Sequence, residues 1–323
     1  MKFFSPDIYQ PRQSEMGAAS AELAATPYLP DNLDITVFYG GHDEVKDFKA
    51  LEPYISQTDI FVPEITAWGM DELKLFSRIS QGDKQARNQL EQEFTGGRFT
   101  RFTAAETKWL QGSGIFVTSI DYAASHERAS EILSHFENWG LMDKIVPNYR
   151  KTLGNIASFA AYEAELEELR EYIMIHSVGP RLDAIISGEP TLESKGRIKV
   201  LIQQGTAHTY FFHELVDLAR DNASVNVRRV FDDKKPILFE HFDRLTRSYR
   251  TGIELSSEET EELAMRALAR LALRFNGIPF VIEETDYVNG RLRMPHPEVM
   301  VDRFSPDAIK AFHTKVVNAR SRR

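Results

Sequence analysis

The residues best suited to chemistry in this sequence follow a short apolar run near residue 200. Ile198 to Ile202 is rich in β-branched side chains, which is typical of a buried strand. Gly205 ends this run, and His208 follows at the start of a segment with helical periodicity. In an open α/β sheet this position lies at the carboxyl end of a strand and the amino end of a helix, where ligands bind. His208 is therefore the strongest candidate for a functional residue, because Gly205 allows the backbone to turn tightly beside it.

Three further polar residues lie where predicted strands end, after the apolar runs 33–39, 59–62 and 115–120. They are His42, Glu64 and Asp121. Parallel strands bring such residues to one edge of a sheet although they are far apart in sequence. Imidazole and carboxylate groups activate water as a general base and its orienting partner, or bind a metal ion. The four residues together predict a site at this edge.

Each of these three residues also has a structural interpretation that the pattern leaves open. His42 follows two glycines and is equally suited to a turn or helix entry, hydrogen-bonded to backbone. Glu64 suits the first turn of a helix, where its charge favours the helix dipole. For Asp121 the pattern favours a cap on the next helix.

Strand-like and helix-like segments alternate along most of the chain, which predicts β-α-β units. The expected fold is α/β, a mixed and mostly parallel sheet flanked by helices, with a long helical insertion and a helical C-terminal extension. We expect an irregular arm over residues 1–32, the α/β core over 33–235, and the extension over 236–323, packed on the core. Strands are predicted at 33–39, 59–62, 115–120, 198–203, 225–231 and 279–282. Helices are predicted at 18–25, 44–56, 69–94 (two, joined at Gly82), 103–111, 124–139, 155–177, 180–187, 208–221, 256–275 and 306–317.

The extension contains a clear helix start. Ser256 followed by Glu259 forms a capping-box pattern, and Gly277 is the predicted stop. The apolar stripe of this helix is expected to pack on its own domain rather than on a second subunit, because amphipathic helices usually face their own core.

Composition excludes several classes of function. The chain has 323 residues, a formal net charge of −9 and no cysteine. The charge argues against nucleic-acid binding, which needs a basic face, and the missing cysteines exclude disulfides, thiolate metal sites and cysteine nucleophiles. Neither a secretory signal nor a long apolar run is present, so we expect a cytoplasmic protein without membrane attachment.

The order of these motifs resembles the erythromycin esterase / ChaN / TraB superfamily, which includes the Tiki metalloproteases. The similarity covers roughly residues 33–232. It is closest in LREYIMIHSVGPRLDAIISG followed by IKVLIQQGTAHTYFFHEL, where Arg170, Glu171 and Met174 resemble a helix signature and Gly205 to His208 a GxxH motif. The first motif departs from the pattern, because Tyr39 stands where the superfamily has glycine.

The resemblance implies a site built from two histidines, a glutamate and an arginine. We expect a hydrolase in which His42, with Glu64 as orienter or base, activates water. His208 would be a second base, metal ligand or oxyanion donor, and Arg170 would neutralise developing negative charge. The substrate-binding residues are predicted to be Tyr39, Gly41, Asp121 and Gly205.

Two alternatives to catalysis follow from the same resemblance. One is a protein that binds haem or another small molecule, with a histidine or Tyr39 as axial ligand. The other is a silent member that acts through its C-terminal helices.

The sequence leaves the identity of the cofactor and of the partners open. His42, Glu64 and His208 would suffice for a divalent metal such as manganese, cobalt or zinc, whereas esterase-like chemistry needs none. Haem is the less favoured cofactor. The expected partner is a small-molecule or peptide substrate, with a homodimer as a further possibility.

Overall fold

A computed structural model describes residues 26–40, 45–64, 70–93, 101–121, 144–205, 208–231, 240–274, 287–288, 291–292, 301 and 304–321. Gly41, His42, the helices expected at 18–25 and 124–139, the strand expected at 279–282 and the predicted stop at Gly277 lie outside these residues.

Within the described ranges, five parallel strands form the central sheet, in the order β3-β2-β4-β1-β5. They are β1 (Leu33–Tyr39), β2 (Ile60–Val62), β3 (Phe116–Val117), β4 (Ile198–Gln204) and β5 (Asn226–Phe231). Since β1 and β4 are paired on both sides, their backbone groups are hydrogen-bonded within the sheet, and most of their side chains are buried. The α/β fold expected from the sequence is confirmed.

Ten helices are described around and beyond the sheet. They are α1 (Val45–Ile55), α2 (Met70–Ser80), α3 (Lys84–Glu93), α4 (Arg101–Leu110), α5 (Tyr149–Gly188), α6 (Pro190–Glu193), α7 (Thr209–Ala219), α8 (Glu240–Thr251), α9 (Ser257–Arg274) and α10 (Pro306–Arg320). The predicted break at Gly82 is confirmed, with Gly82 in the left-handed region between α2 and α3. None of the described helices is long and apolar enough to cross a membrane.

Both faces of the sheet are covered. On the first face, alternate β1 residues such as Ile35 and Val37 pack against Met174 and Val178 of α5 and Phe211 of α7. On the second face, the intervening strand residues pack against α1, α2 and α4; they include Phe38, Phe61 and Leu201. The alternation follows from the period of two in a strand, and it determines which face each strand-end residue occupies.

The helix α5 differs from the prediction. The sequence predicted separate helices over 155–177 and 180–187, and proline usually ends or kinks a helix. The structure has one helix of 40 residues that contains Pro180. Buried Ile175, Val178 and Leu182 continue one apolar stripe across the proline, so tertiary packing outweighs the local preference.

Two shorter elements also differ from expectation. The strand predicted at 115–120 pairs with β2 only through Phe116 and Val117, because β2 itself ends at Val62. An antiparallel pair, β6 (Tyr287–Val288) and β7 (Arg291–Leu292), was not predicted. Its sequence signal was Asn289-Gly290, a dipeptide that favours tight hairpin turns.

The chain divides into two compact units. The first comprises Met1–Glu137 and Glu167–Pro236, and the second Asn138–Leu166 and Ile237–Arg323. The first contains the five-stranded sheet. The second contains α8, α9 and α10 and the first part of α5.

The predicted capping box opens α9 as expected. The backbone N–H of Ser256 donates to Glu259 Oε2 at 2.9 Å, and the N–H of Glu259 donates to Ser256 Oγ at 3.2 Å. Within the same helix Leu263, Ala267 and Leu268 are buried. The described part of the apolar stripe therefore packs within the protein, as the sequence analysis favoured.

Candidate functional site

Strand order brings two of the predicted site residues, Tyr39 and Glu64, to one edge of the sheet. The strand β4 lies between β2 and β1, with Val62 opposite Ile202 and Tyr39 opposite Gln204. Tyr39 thus ends the strand on one side of β4, and Glu64 follows the strand on the other side. Alternation places Tyr39 on the first face, which α5 and α7 cover.

The α5 helix supplies a guanidinium to this edge. Arg170 donates from Nε and Nη2 to Asp121 Oδ2, at 2.9 and 2.7 Å, and from Nη2 to Glu64 Oε1 at 3.2 Å. The three side chains are 11%, 2% and 7% exposed. Burial alone would lower the pKa of Arg170, but the charges and hydrogen bonds of Asp121 and Glu64 more than offset it and raise that pKa above its ordinary value. Arg170 therefore stays charged and fixes both carboxylates.

The imidazole of His208 lies between two carboxylates. Its Nε2 is 3.8 Å from Glu64 Oε1, and its Nδ1 is 3.8 Å from Glu171 Oε1. The side chain of His208 is 1% exposed. Each separation is longer than a direct hydrogen bond but short enough for strong electrostatic interaction once the ring is protonated. The ring therefore lies within reach of the charges of both carboxylates.

Tyr39 holds the turn that carries His208. Its hydroxyl donates to the backbone carbonyl of His208 at 2.8 Å, and its ring stacks on Phe231 with 5.4 Å between centroids. Burial, then the charge of Glu171, raises the pKa of Tyr39, so the phenol keeps its proton and donates. For Tyr39 to bind a haem iron, this hydroxyl would first have to leave the His208 carbonyl.

Gly205 allows the Glu64 carboxylate to approach the backbone of the β4–α7 connection. A Cβ at this position would lie 3.2 Å from Glu64 Oε2 and 3.4 Å from Oε1. A Cβ there would force the Glu64 carboxylate to shift by a few tenths of an ångström. The glycine of the GxxH-like motif is thus needed for a close approach to the acid.

Tyr39, Glu64, Asp121, Arg170, Glu171 and His208 are called the strand-end cluster below. Of the predicted site residues, the structure brings together Tyr39, Glu64, Asp121, Arg170, Gly205 and His208. The roles assigned to His42 and Gly41 stay predictions, since both lie outside the described residues. Asp121 is an ion-pair partner of Arg170, while the helix that it was expected to cap also lies outside.

Two residues of this region were not singled out as site residues from the sequence. Glu171 was noted only as part of a helix signature, although its place beside Arg170 was the available signal. Gln204 ends β4 together with Gln203, and two buried polar residues in succession are unusual at the carboxyl end of such a strand.

No group of three or more His, Asp or Glu side chains within the described ranges is placed to hold a metal ion. The predicted metal set contains His42, so metal binding by His42, Glu64 and His208 stays a prediction.

Comparisons of the chain with models of protein families, with curated proteins and with solved structures found no match. A buried imidazole between two acids, one of them fixed by an arginine, is suited to taking a proton from a bound nucleophile and giving it to a leaving group.

Proposed function

We propose that this protein is a cytoplasmic hydrolase in which His208, flanked by Glu64 and Glu171, activates a water molecule. The observation that carries the proposal is the position of the His208 ring, 3.8 Å from a carboxylate on each nitrogen. Such a ring takes a proton readily, because both acids stabilise the imidazolium that forms. The substrate is a small molecule or peptide with a hydrolysable carbonyl group.

The reaction conserves protons within the site. Nε2 of His208 removes a proton from water as the oxygen adds to the substrate carbonyl carbon. The imidazolium then gives that proton to the leaving group as the tetrahedral intermediate collapses. Glu64 orients the water on the Nε2 side, and Glu171 stabilises the charge on the Nδ1 side.

Arg170 acts in this proposal as a positioning residue. Its guanidinium already binds Asp121 and Glu64, so its charge is neutralised before any substrate arrives. This favours fixing Glu64 over the direct neutralisation of developing charge that was expected from the sequence. The role expected for His42 as the water-activating base stays a prediction, since this residue lies outside the described residues.

The test compares two histidines of the same helical segment. The purified protein is assayed on a panel of 4-nitrophenyl esters and 4-nitroanilides of graded acyl length. We expect His208→Ala to lower kcat/KM by about 10²- to 10⁴-fold, as for loss of a general base. The control His213→Ala, five residues on and exposed, should leave kcat/KM unchanged. No hydrolysis by the wild-type protein, or equal rates in His208→Ala, would contradict the function.

Glu171 is tested through the pH profile, which a purely structural role would not move. In Glu171→Gln the imidazolium loses a stabilising charge, so the ascending limb of kcat/KM against pH should move to lower pH. The control Glu168→Gln removes an exposed carboxylate from the same helix and should not shift the limb. An unchanged profile in Glu171→Gln would remove Glu171 from the mechanism.

A further inference from the structure

Gln204 has buried polar atoms that are unpaired among the residues that the structure describes. The residue is 1% exposed, and neither the nitrogen nor the oxygen of its side-chain amide has a hydrogen-bond partner in the described part of the chain. Buried amides in folded proteins are almost always paired, since leaving them unpaired costs stability. Such an exception is expected where a ligand completes the hydrogen bonds.

The position of Gln204 points to the same site as the strand-end cluster. It is the last residue of β4, opposite Tyr39 in the sheet register. Its side chain shares the first face with those of Val200 and Ile202, by the alternation along β4. The next residue, Gly205, is the one that the Glu64 carboxylate approaches. Gln204 therefore lies between Tyr39 and Glu64, on the face that carries His208.

We infer that Gln204 binds an amide group of the substrate, which makes the protein an amide-directed rather than an ester-directed hydrolase. This rests on the proposed hydrolase function. The side-chain oxygen of Gln204 can accept a hydrogen bond from the N–H of a substrate amide, and its nitrogen can donate to a substrate oxygen. An ester offers the acceptor alone and would leave the Gln204 oxygen buried without a partner. Sites that bind a substrate N–H reject analogues that lack it for this reason.

Two compounds of the same shape test the inference. 4-Nitroacetanilide and 4-nitrophenyl acetate differ by an N–H in place of an oxygen, and both release a coloured product. We expect Gln204→Leu to raise KM for the anilide by about tenfold or more and to change KM for the ester by less than about twofold. The matched control is Gln203→Leu, the neighbouring glutamine on the opposite face, which should change neither value. Equal effects of Gln204→Leu on the two compounds would overturn the inference.

A binding measurement separates this inference from the proposed function. In the His208→Ala background, saturation-transfer NMR follows contact of 4-nitroacetanilide with the protein without turnover. Contact that Gln204→Leu abolishes supports the inference even if no compound is hydrolysed, in which case the hydrolase proposal alone fails. Contact that persists in Gln204→Leu, or no contact at all, overturns the inference whatever the activity.

Stability provides an independent readout. If Gln204 is kept for a ligand, replacing its unpaired amide with leucine should raise the melting temperature of the ligand-free protein. A lower melting temperature for Gln204→Leu would mean that the amide serves the fold, and this too would overturn the inference.

Discussion

Arg170 is the residue on which the acids of the strand-end cluster depend. Its guanidinium is 11% exposed and binds Asp121 and Glu64, so its removal leaves two buried carboxylates without their cation. Breaking a buried pair in this way costs about 3 to 5 kcal/mol. We expect Arg170→Met to lower the free energy of unfolding by that amount, measured by urea denaturation.

A surface arginine supplies the control for this prediction. Arg220 pairs with Asp217, but their side chains are 70% and 61% exposed, so Arg220→Met should have little effect. Arg170→Lys keeps the charge but loses the fixed geometry of Nε and Nη2 on Asp121. Its free energy of unfolding should therefore lie between those of the wild type and Arg170→Met. A loss in Arg170→Met no greater than in Arg220→Met would show that the acids do not need the guanidinium.

Single site residues could be predicted from the sequence where their position relative to a predicted strand indicated a site. Glu64 and His208 were identified because each follows a predicted strand, at the edge of the sheet where ligands bind. Glu171 and Gln204 were not identified, because their neighbours come from β1, β2 and α7. Only the strand order and register bring those neighbours together.

The long helix α5 shows what determines an element when local and tertiary preferences conflict. Gly179 precedes Pro180, and a Cβ at Gly179 would lie 2.2 Å from the backbone oxygen of Tyr28. The glycine therefore lets the segment before β1 pass directly over the helix, where the Tyr28 hydroxyl also donates to Asp183 at 3.2 Å. The local sequence does not indicate that this segment approaches α5 so closely.

Replacing either of two glycines of α5 with alanine should change the free energy of unfolding in opposite directions. Gly179→Ala should lower the free energy of unfolding by about 1 to 3 kcal/mol, because backbone must move to admit the methyl group. Gly154→Ala should raise it by about 1 kcal/mol, because no atom lies within 4 Å of the added Cβ and alanine favours helix. Urea denaturation of both variants provides the measurement. A neutral Gly179→Ala would mean that the Tyr28 segment does not pack as described.

The elements that were predicted well are those that depend on residues close together in the sequence. The α9 start was found because Ser256 and Glu259 are local partners, and their hydrogen bonds form as the pattern requires. The β6–β7 pair was missed because two residues on each side carry no periodicity, so the Asn289-Gly290 signal went unused. Locally encoded features are readable from sequence, whereas pairing across distant segments is not.

For the whole molecule, the parallel sheet could be predicted because it follows from β-α alternation, while the order of its strands could not. The order places β4 between β1 and β2 and so decides that Tyr39, Gln204 and Glu64 are neighbours. The same sheet buries groups that composition counts as charged. The formal charge of −9 includes Glu106, which is 3% exposed.

The stability of the whole protein should depend on pH through Glu106. This residue lies on α4 between buried Phe102 and Leu110, and burial raises its pKa from 4.5 to about 8. Between these values the unfolded chain has released the proton while the folded protein keeps it, so the unfolded state binds fewer protons. The contribution of Glu106 is therefore favourable below about pH 4.5 and is lost as the pH rises towards about 8, at ~1.4 kcal/mol per pH unit.

Glu106→Gln removes this dependence, because glutamine has no proton to lose. We expect its free energy of unfolding to exceed that of the wild type by an amount that grows from pH 5 to pH 8, on the order of several kcal/mol at the upper end. Urea denaturation followed by circular dichroism at a series of pH values measures the difference. The control Glu168→Gln removes an exposed carboxylate, so its free energy of unfolding should change with pH as that of the wild type does. A constant difference between Glu106→Gln and wild type across this range would mean that Glu106 is already ionised in the folded protein. The second face of the sheet would then have to hold a buried charge.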